Sequence, residues 1–252
     1  MKISGNTVLI TGGGSGIGRA LAQALHAKGD TIIVTGRRRS ALDQTVAANP
    51  GIRSFALDIA DRDAIAAFGK MIVAQYPTLN VLVNNAGIMQ REDFLADAVD
   101  LTTAEATVAS NLLGPIRLTA ALLPHLRRQP RATVMTVSSG LAFVPIAMTP
   151  TYCATKAAIH SWSQTLRHQL RHTNVEVLEL APPYVQTELL GEHQKTDPRA
   201  MPLDAFIAEV MAILETRPDA TEILVERVKP QRFAERNGEY DQLFKQRNEA
   251  MP

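Results

Sequence analysis

The sequence is poor in cysteine and has almost no net charge. Its one cysteine, Cys153, cannot form an intramolecular disulfide and has no cysteine partner for a structural zinc site. The 26 Lys and Arg residues nearly balance the 25 Asp and Glu residues, leaving a formal net charge of +1. Such a balance gives no global attraction to nucleic acid or to an anionic membrane. We therefore expect a protein of a reducing compartment with no nucleic-acid partner.

Long hydrophobic runs are also missing. The apolar residues 8–10 stop at a glycine cluster and are too short for a signal-peptide core. No uninterrupted apolar run approaches the ~20 residues that span a bilayer. We therefore predict a cytoplasmic protein without membrane contact.

With 46% hydrophobic and 20% charged residues, the chain is globular in composition. Its 252 residues suit one domain spanning residues 1–252.

Short β-branched runs alternate with longer amphipathic stretches. Predicted strands occupy residues 8–10, 32–34, 52–57, 81–83, 134–137 and 175–178. Predicted helices occupy residues 16–28, 39–48, 61–75, 103–128, 151–172 and 203–215. This alternation predicts a single-domain, doubly wound parallel α/β sheet (Rossmann fold) with helices on both faces. The polar residues 188–199 predict a loop, so residues 184–217 are a candidate substrate loop and helix within that domain.

A glycine-rich turn lies between the first predicted strand and the first predicted helix. Its sequence, T-G-G-G-S-G-I-G, occupies residues 11–18. Glycines let the backbone approach a ligand closely, and the amides and dipole of a helix start favour a pyrophosphate. A turn required only for packing is the alternative interpretation. The context favours a dinucleotide site formed by Gly12, Gly14, Ser15, Gly16, Ile17 and Gly18.

Several polar residues suit proton transfer. Tyr152 and Lys156 are four residues apart, so on a helix they point the same way, one turn apart. An ammonium stabilises a phenolate, so we expect Lys156 to lower the pKa of Tyr152. Ser139, at the end of the fifth predicted strand, is a candidate donor to a carbonyl oxygen, with Ser138 as its competitor. Asn111, followed closely by glycine and proline, predicts a local irregularity in its helix.

Together these motifs resemble the short-chain dehydrogenase/reductase family. They run from residue 11 to residue 187 and comprise T-G-x-x-x-G-x-G, Asn84-Asn85-Ala86-Gly87, Asn111, Ser139, Tyr152-x-x-x-Lys156 and Thr187. The Pro-Pro-Tyr run at residues 182–184 and the C-terminal tail resemble the members named for an association with D-alanylation of teichoic acids. The resemblance implies an oxidoreductase that interconverts a carbonyl and a secondary alcohol by hydride transfer. It also implies Tyr152 as general acid/base, Lys156 as its pKa modulator and ribose ligand, Ser139 as carbonyl orienter and Asn111 as anchor of a proton relay.

The resemblance also implies further cofactor contacts. The adenine would contact Asp58 and Ile59, and the adenosine ribose would contact Asn85, Ala86 and Gly87. The nicotinamide would contact Pro182, Val185 and Thr187. Pro183 replaces a glycine common in the family, which fixes φ and removes an amide donor, so the nicotinamide pose stays open. Tyr184 is then expected to point toward the substrate side.

The choice between NAD and NADP depends on the end of the second predicted strand. An acidic residue there would hydrogen-bond the ribose 2′-hydroxyl, but the strand runs into Arg37, Arg38 and Arg39. The planar guanidinium of Arg37, with Arg38 beside it, suits a 2′-phosphate. A solvated basic loop is the alternative. We predict NADP as the cofactor, with NAD less favoured.

The remaining reactive side chains receive structural roles. Cys153 points about 100° away from Tyr152 on the helix and is predicted to be a packing residue. No metal is predicted, because four histidines lack a carboxylate at metal-ligand spacing and are interpreted as helix-surface or interface residues. These are His125, His160, His168 and His172.

The expected partners are a small carbonyl or alcohol substrate and further copies of the chain. Residues 89–94, 145–150 and 184–199 are expected to build the substrate pocket. The resemblance implies a homodimer or homotetramer assembled through the helices predicted at residues 103–128 and 151–172. Two other functions stay open at this point. One is a non-catalytic dinucleotide-binding regulatory protein, and the other is an epimerase or dehydratase that uses the same Tyr/Lys chemistry.

Overall fold

Parallel strands form the centre of the molecule. The computed structural model describes residues 1–250. Within these residues, seven strands form a parallel sheet in the order β3-β2-β1-β4-β5-β6-β7. The strands are β1 Thr7–Thr11, β2 Thr31–Gly36, β3 Arg53–Ala56, β4 Leu79–Asn84, β5 Ala132–Val137, β6 Val175–Leu180 and β7 Glu222–Ile223.

Helices fill the connections between the strands and form the C-terminal segment. They are α1 Gly16–Ala27, α2 Arg39–Ala48, α3 Arg62–Gln75, α4 Thr102–Val108, α5 Gly114–Leu126, α6 Pro150–Leu170, α7 Leu203–Thr216, α8 Lys229–Arg232, α9 Ala234–Asn237 and α10 Tyr240–Glu249. A π-helical turn, Ala109–Leu113, joins α4 to α5. Short 3₁₀ turns lie at Gly140–Ala142, Glu192–Thr196 and Glu226–Val228.

Alternate residues of the central strands face opposite layers of helices, as the period of two in a strand requires. In β1, Val8 and Ile10 pack in one core cluster with Leu21 of α1. Leu9 packs in a second cluster with Leu118 of α5. All five side chains are fully buried. The predicted single-domain, doubly wound sheet with helices on both faces is therefore confirmed.

The helical run Thr102–Leu126 is long and apolar enough to cross a membrane by length and composition alone. Its α5 part packs instead against α3 and the sheet. Leu118, Leu122 and Leu126 have no exposed surface. Packing in the protein core thus accounts for the apolar character of this segment.

The predicted strands and helices up to residue 216 match the observed elements, with the ends shifting by a few residues. Residues 188–199 form a loop with the short 3₁₀ turn Glu192–Thr196, as expected. The sequence analysis placed no element beyond α7, whereas the structure has β7 and α8–α10 there. β7 has two residues and α10 buries none of its side chains, so neither produces a periodic apolar pattern.

The order of the strands defines where a ligand binds. β2 and β3 lie on one side of β1, while β4 to β7 extend on the other side. In open α/β sheets, ligands occupy the crevice outside the carboxyl ends of the strands where the order reverses. β1 ends at Thr11 and β4 ends at Asn84, so the glycine turn and the segment after β4 face each other across this crevice.

Candidate active site

A cleft of about 430 Å³ opens at the carboxyl ends of the strands. It is lined by most of the residues that the sequence analysis singled out. These are Gly12, Gly14, Ser15, Gly16, Ile17, Gly18, Arg37, Arg38, Ile59, Asn85, Ala86, Gly87, Ser139, Tyr152, Lys156, Pro182, Val185 and Thr187. Asp58 and Asn111 lie outside the lining. The topology therefore brings segments that are far apart in sequence into one site.

The glycine turn fits a dinucleotide phosphate. Gly12 and Gly16 have φ of +70° and +51°, a region that favours glycine. A Cβ at Gly18 would lie 2.4 Å from the Gly12 carbonyl oxygen, so this approach also requires glycine. α1 begins at Gly16, and the preceding Ser15 side chain does not cap its first amides. These amides can therefore hydrogen-bond an anion, as the pyrophosphate of a dinucleotide requires.

Hydrogen bonds join the glycine turn to the segment after β4. The Thr11 hydroxyl accepts from the backbone amides of Asn85 and Ala86, both at 3.0 Å. The Asn85 side chain donates to the Thr11 carbonyl at 2.8 Å. The two walls of the cleft are thus held at a fixed separation by groups that satisfy each other's hydrogen bonds.

The basic loop after β2 lies at the end of the cleft near the glycine turn. Arg38 donates to the Ser15 hydroxyl at 3.0 Å, and its guanidinium is 3.9 Å from Glu188. Arg37 lines the cleft, is exposed, and has no ion-pair partner among residues 1–250. Asp58 is exposed and accepts from the Ala60 amide, whereas the neighbouring Ile59 is buried and reaches the cleft.

Three side chains with acid–base or hydrogen-bonding capacity meet at the other end of the cleft. Tyr152 is 6% exposed, and its hydroxyl hydrogen-bonds the Ser139 side chain. The Lys156 ammonium lies 5.5 Å from the centre of the Tyr152 ring, as the four-residue spacing on α6 predicts. The arrangement can donate a hydrogen bond and a proton to one oxygen atom.

The pKa of Tyr152 differs from the expectation. Burial raises it above its ordinary value, and the hydrogen bond with Ser139 offsets only part of that effect. The Lys156 ammonium donates to the Val137 carbonyl at 2.8 Å. Burial also lowers the pKa of Lys156 to about 8, although the nearby carboxylate of Glu179 opposes that shift. Burial therefore outweighs the acidifying effect expected of the Lys156 charge in this structure.

Asn111 is held directly behind the cleft by the irregularity predicted in its helix. The π-helical turn Ala109–Leu113 contains it. Its side-chain oxygen accepts from the Ile88 amide at 2.8 Å, and its side-chain nitrogen donates to the Ile88 carbonyl at 2.9 Å. A Cβ at Gly87 would lie 3.2 Å from the Asn111 side-chain oxygen and 3.8 Å from the Lys156 ammonium. Gly87 thus leaves space between these two polar groups.

A buried acidic group behind the site was missed by the sequence analysis. Glu179 of β6 has no exposed surface, accepts from the Ser138 hydroxyl at 2.5 Å, and lies 2.8 Å from His160 Nδ1. Ser138 is therefore engaged with Glu179, which leaves Ser139 as the serine bonded to Tyr152. His160 faces this carboxylate, so the prediction that it lies on the helix surface is wrong. A glutamate within the apolar strand V-E-V-L-E-L was the available signal, because a buried carboxylate needs partners.

His160, Glu179 and Glu222 are close enough to hold a metal ion, with ligand atoms within 4.8 Å of one another. Arg232 already donates two hydrogen bonds to Glu222, at 2.7 and 3.0 Å, and supplies the balancing charge. Of the other histidines, His125 is also not exposed, since it is buried and bonded to the Leu79 carbonyl.

The segment after β6 forms part of the cleft wall and is hydrogen-bonded to the loop that follows it. Gln194 donates to the Val185 carbonyl at 2.7 Å and to the Thr187 hydroxyl at 3.1 Å. Tyr184 lines the cleft and donates from its hydroxyl to Asp197 at 3.1 Å.

Cys153 is buried in a small cluster with Met89, Ile146 and Tyr152, as a packing residue. Gln231 and Arg247, which no sequence motif indicated, also line the cleft.

Comparison with known proteins agrees with this geometry. A model of the short chain dehydrogenase family matches residues 6–198. The uncharacterized oxidoreductase DltE of Bacillus subtilis is 44% identical over 252 residues, covering 98% of both chains. A short-chain dehydrogenase structure from Streptomyces avermitilis is 28% identical with a TM-score of 0.81, covering 96% of both chains. One from Burkholderia cenocepacia, in complex with NADP, has a TM-score of 0.80 at 23% identity, covering 96% of this chain and 99% of its own.

The chain belongs to the short-chain dehydrogenase/reductase family. It is accordingly an NAD(P)-dependent oxidoreductase that acts on a small-molecule substrate, and among known proteins it is similar to the Bacillus subtilis oxidoreductase across nearly its whole length.

Proposed function

We propose that this protein interconverts a carbonyl and a secondary alcohol, using NADP. The observation that carries the proposal is the meeting of Tyr152, Ser139 and Lys156 at one end of a cleft whose other end fits a dinucleotide phosphate. Residues 184–217 form the substrate loop and helix of the single domain.

Each residue has a distinct role in the reductive direction. The Ser139 hydroxyl donates a hydrogen bond to the substrate carbonyl oxygen, and Tyr152 transfers its proton to the same oxygen. NADP, when bound, supplies or accepts the hydride. The Lys156 ammonium stabilises the phenolate left on Tyr152 and donates to the cofactor ribose. Asn111 anchors a proton relay behind Lys156. Because the site is largely shielded from water, the interaction between the Lys156 ammonium and the Tyr152 phenolate is stronger than it would be in solvent.

The choice of NADP is supported by Arg37. Its guanidinium is exposed at the cleft and has no carboxylate partner within residues 1–250, so it is available for a 2′-phosphate. Arg38 is held nearby by Ser15. Asp58 and Ile59 are proposed contacts of the adenine, Asn85–Ala86–Gly87 of its ribose, and Pro182, Val185 and Thr187 of the nicotinamide.

The Tyr152→Phe variant tests the catalytic proposal. We expect kcat to fall by about a hundredfold or more, because the proton donor is lost, while the dissociation constant for NADPH stays within about twofold. Turnover is followed by NADPH absorbance with a panel of aldehydes, ketones and alcohols. Tyr76→Phe, a change of the same type at a tyrosine that packs on Phe55 away from the cleft, is the control.

Three results would contradict this assignment. Turnover of Tyr152→Phe close to that of the wild type would exclude Tyr152 as the acid. Tight NADPH binding with no turnover of any compound in the panel would favour a dinucleotide-binding regulatory protein. Product formation with the cofactor returned to its starting redox state would favour an epimerase or dehydratase.

The cofactor proposal is tested separately by Arg37→Asp. We expect the wild type to bind NADPH more tightly than NADH, and the variant to lose about tenfold or more in NADPH affinity while NADH affinity is retained. The measurement is a fluorescence titration with both cofactors. Arg39→Asp is the matched control, because Arg39 is paired with Asp43 at 3.2 Å and does not line the cleft. Preference of the wild type for NADH would overturn the proposal.

A further inference from the structure

The C-terminal helix α10 covers the catalytic end of the cleft. The helix is polar, and none of its side chains is buried. Asn248 attaches it to the loop before α6. This side chain accepts from the Ala147 amide at 2.5 Å and donates to the Pro145 carbonyl at 3.3 Å. Specific hydrogen bonds, rather than apolar packing, therefore fix α10 beside the catalytic residues.

This attachment brings Arg247 into the lining of the cleft. The guanidinium lies near Cys153, which packs with Tyr152. Burial lowers the pKa of Arg247. Its Nε atom is buried and has no hydrogen-bond partner, and within residues 1–250 the side chain makes no ion pair. The guanidinium is therefore partly desolvated while one of its donors lacks a partner, which is costly in a folded protein.

Among residues 1–250, no acidic group that lines the cleft can supply that partner. Glu188 is the acidic residue in the lining, and it is held by Lys195 at 2.9 Å with Arg38 at 3.9 Å. The catalytic end instead carries a second cation, Lys156, whose ammonium donates to a backbone carbonyl. Within the described residues, the lining at this end of the cleft therefore contains two cationic side chains and no carboxylate.

We propose that Arg247 binds a carboxylate of the substrate, so that this enzyme acts on a hydroxy acid or the corresponding oxo acid. A planar guanidinium donates two parallel hydrogen bonds to a carboxylate, and one unpaired arginine balances one negative charge. The substrate's carboxylate then satisfies Arg247 while its carbonyl or alcohol oxygen meets Ser139 and Tyr152. This inference rests on the proposed oxidoreductase function and names its substrate class.

The experiment compares acids with their neutral methyl esters. Short-chain hydroxy acids from butyrate to hexanoate, as both enantiomers, and the methyl ester of each are offered with NADP to the wild type and to Arg247→Met. We expect the wild type to show kcat/KM about tenfold or more higher for the acid of an active pair than for its ester. Arg247→Met should abolish this preference by lowering activity on the acid while leaving that on the ester. Arg236→Met, an exposed arginine that packs on Phe233, is the matched control.

Binding is measured independently of turnover by the thermal unfolding of the enzyme loaded with NADPH, which cannot accept a hydride from a hydroxy acid. The acids should raise the unfolding temperature of the wild type and of Arg236→Met, but not that of Arg247→Met. Normal unfolding of Arg247→Met without ligand shows that its fold is intact.

The outcomes separate this inference from the proposed function. Equal or better turnover of the esters, or an acid preference that survives in Arg247→Met, would refute the role of Arg247 and leave the oxidoreductase assignment standing. Binding of acids that depends on Arg247 but gives no turnover would support the carboxylate site and count against the proposed reaction. If the acids neither react nor change the unfolding temperature, the carboxylate site is refuted. A phosphorylated alcohol that binds through Arg247 more tightly than every acid would replace the carboxylate as the recognised group and overturn the proposal.

Discussion

At the scale of single residues, the charge on Lys156 depends on a carboxylate that does not touch the substrate cleft. Lys156 is 5% exposed, and burial lowers its pKa to about 8. The carboxylate of Glu179, itself fully buried, raises that pKa and so limits the shift. In the proposed reaction, the ammonium that stabilises the Tyr152 phenolate is therefore maintained near neutral pH by a residue on strand β6.

Glu179→Gln should move the alkaline limb of the activity profile to lower pH. Lys156 is protonated below its pKa and loses its proton as pH rises through it, so removing the carboxylate shifts this loss to lower pH. The measurement is kcat as a function of pH for wild type and variant. Glutamine preserves the size of the side chain and can still accept from Ser138.

Glu176→Gln is the matched control for this prediction, because Glu176 lies on the same strand but pairs with Arg131 and the N-terminal amine. It should change stability without moving the pH profile. An unshifted profile in Glu179→Gln, or an equal shift in both variants, would show that Glu179 does not act through Lys156.

At the scale of secondary-structure elements, the π-helical turn Ala109–Leu113 determines where Asn111 lies. A π turn adds a residue to the helical period and is frequently found at functional sites. Here it directs the Asn111 side chain to both backbone groups of Ile88, next to the Gly87 segment that lines the cleft. The helix thus positions the wall of the cleft as well as the asparagine itself.

Asn111→Ala should lower the free energy of unfolding by about 1–3 kcal/mol, because two partly buried backbone groups of Ile88 lose their partners. It should also reduce kcat, since the segment that lines the cleft loses its support. Urea unfolding and steady-state turnover measure the two effects. Leu113→Ala on the same turn is the control, as its side chain is 37% exposed. An unchanged kcat in a destabilised Asn111→Ala would limit Asn111 to a structural role.

At the scale of the whole molecule, an exposed apolar segment precedes α4. Phe94, Leu95, Val99 and Leu101 are 55%, 96%, 41% and 52% exposed. Exposed apolar side chains that are grouped in this way commonly mark a binding surface for a partner. The segment adjoins the helical run Thr102–Leu126, through which the family resemblance led us to expect association. A second copy of this chain is the partner that we propose for it.

We expect a homodimer or homotetramer in light scattering at micromolar concentration. Leu95→Asp should shift the protein toward smaller species, because the charge would be buried in the contact. Phe244→Asp, which alters an exposed apolar residue of α10, should leave the mass unchanged. A wild type that stays monomeric would contradict the expectation, and an assembly unaffected by Leu95→Asp would locate the contact elsewhere.

Much of the fold could be predicted because its signals are local. β1 and β2 are apolar on both faces, as buried parallel strands must be, and the helix predicted over residues 39–48 has those bounds in α2. The spacing of Tyr152 and Lys156 likewise predicted their common orientation on α6. The effect of burial on the pKa of Tyr152 could not be predicted, because burial depends on the surrounding elements and no spacing within one helix reports it.

The sequence by itself determined the class of fold, the glycine turn and the family, because periodic apolar residues, glycines and closely spaced side chains act within a few positions of one another. It also showed a chain with one cysteine and almost no net charge, features that identify no partner. The tertiary structure decided which distant groups meet. It brought Glu179 behind Lys156 and carried Arg247 to the catalytic end of the cleft. Those contacts join segments separated by whole elements, so they follow from sheet order and helix packing rather than from any local pattern.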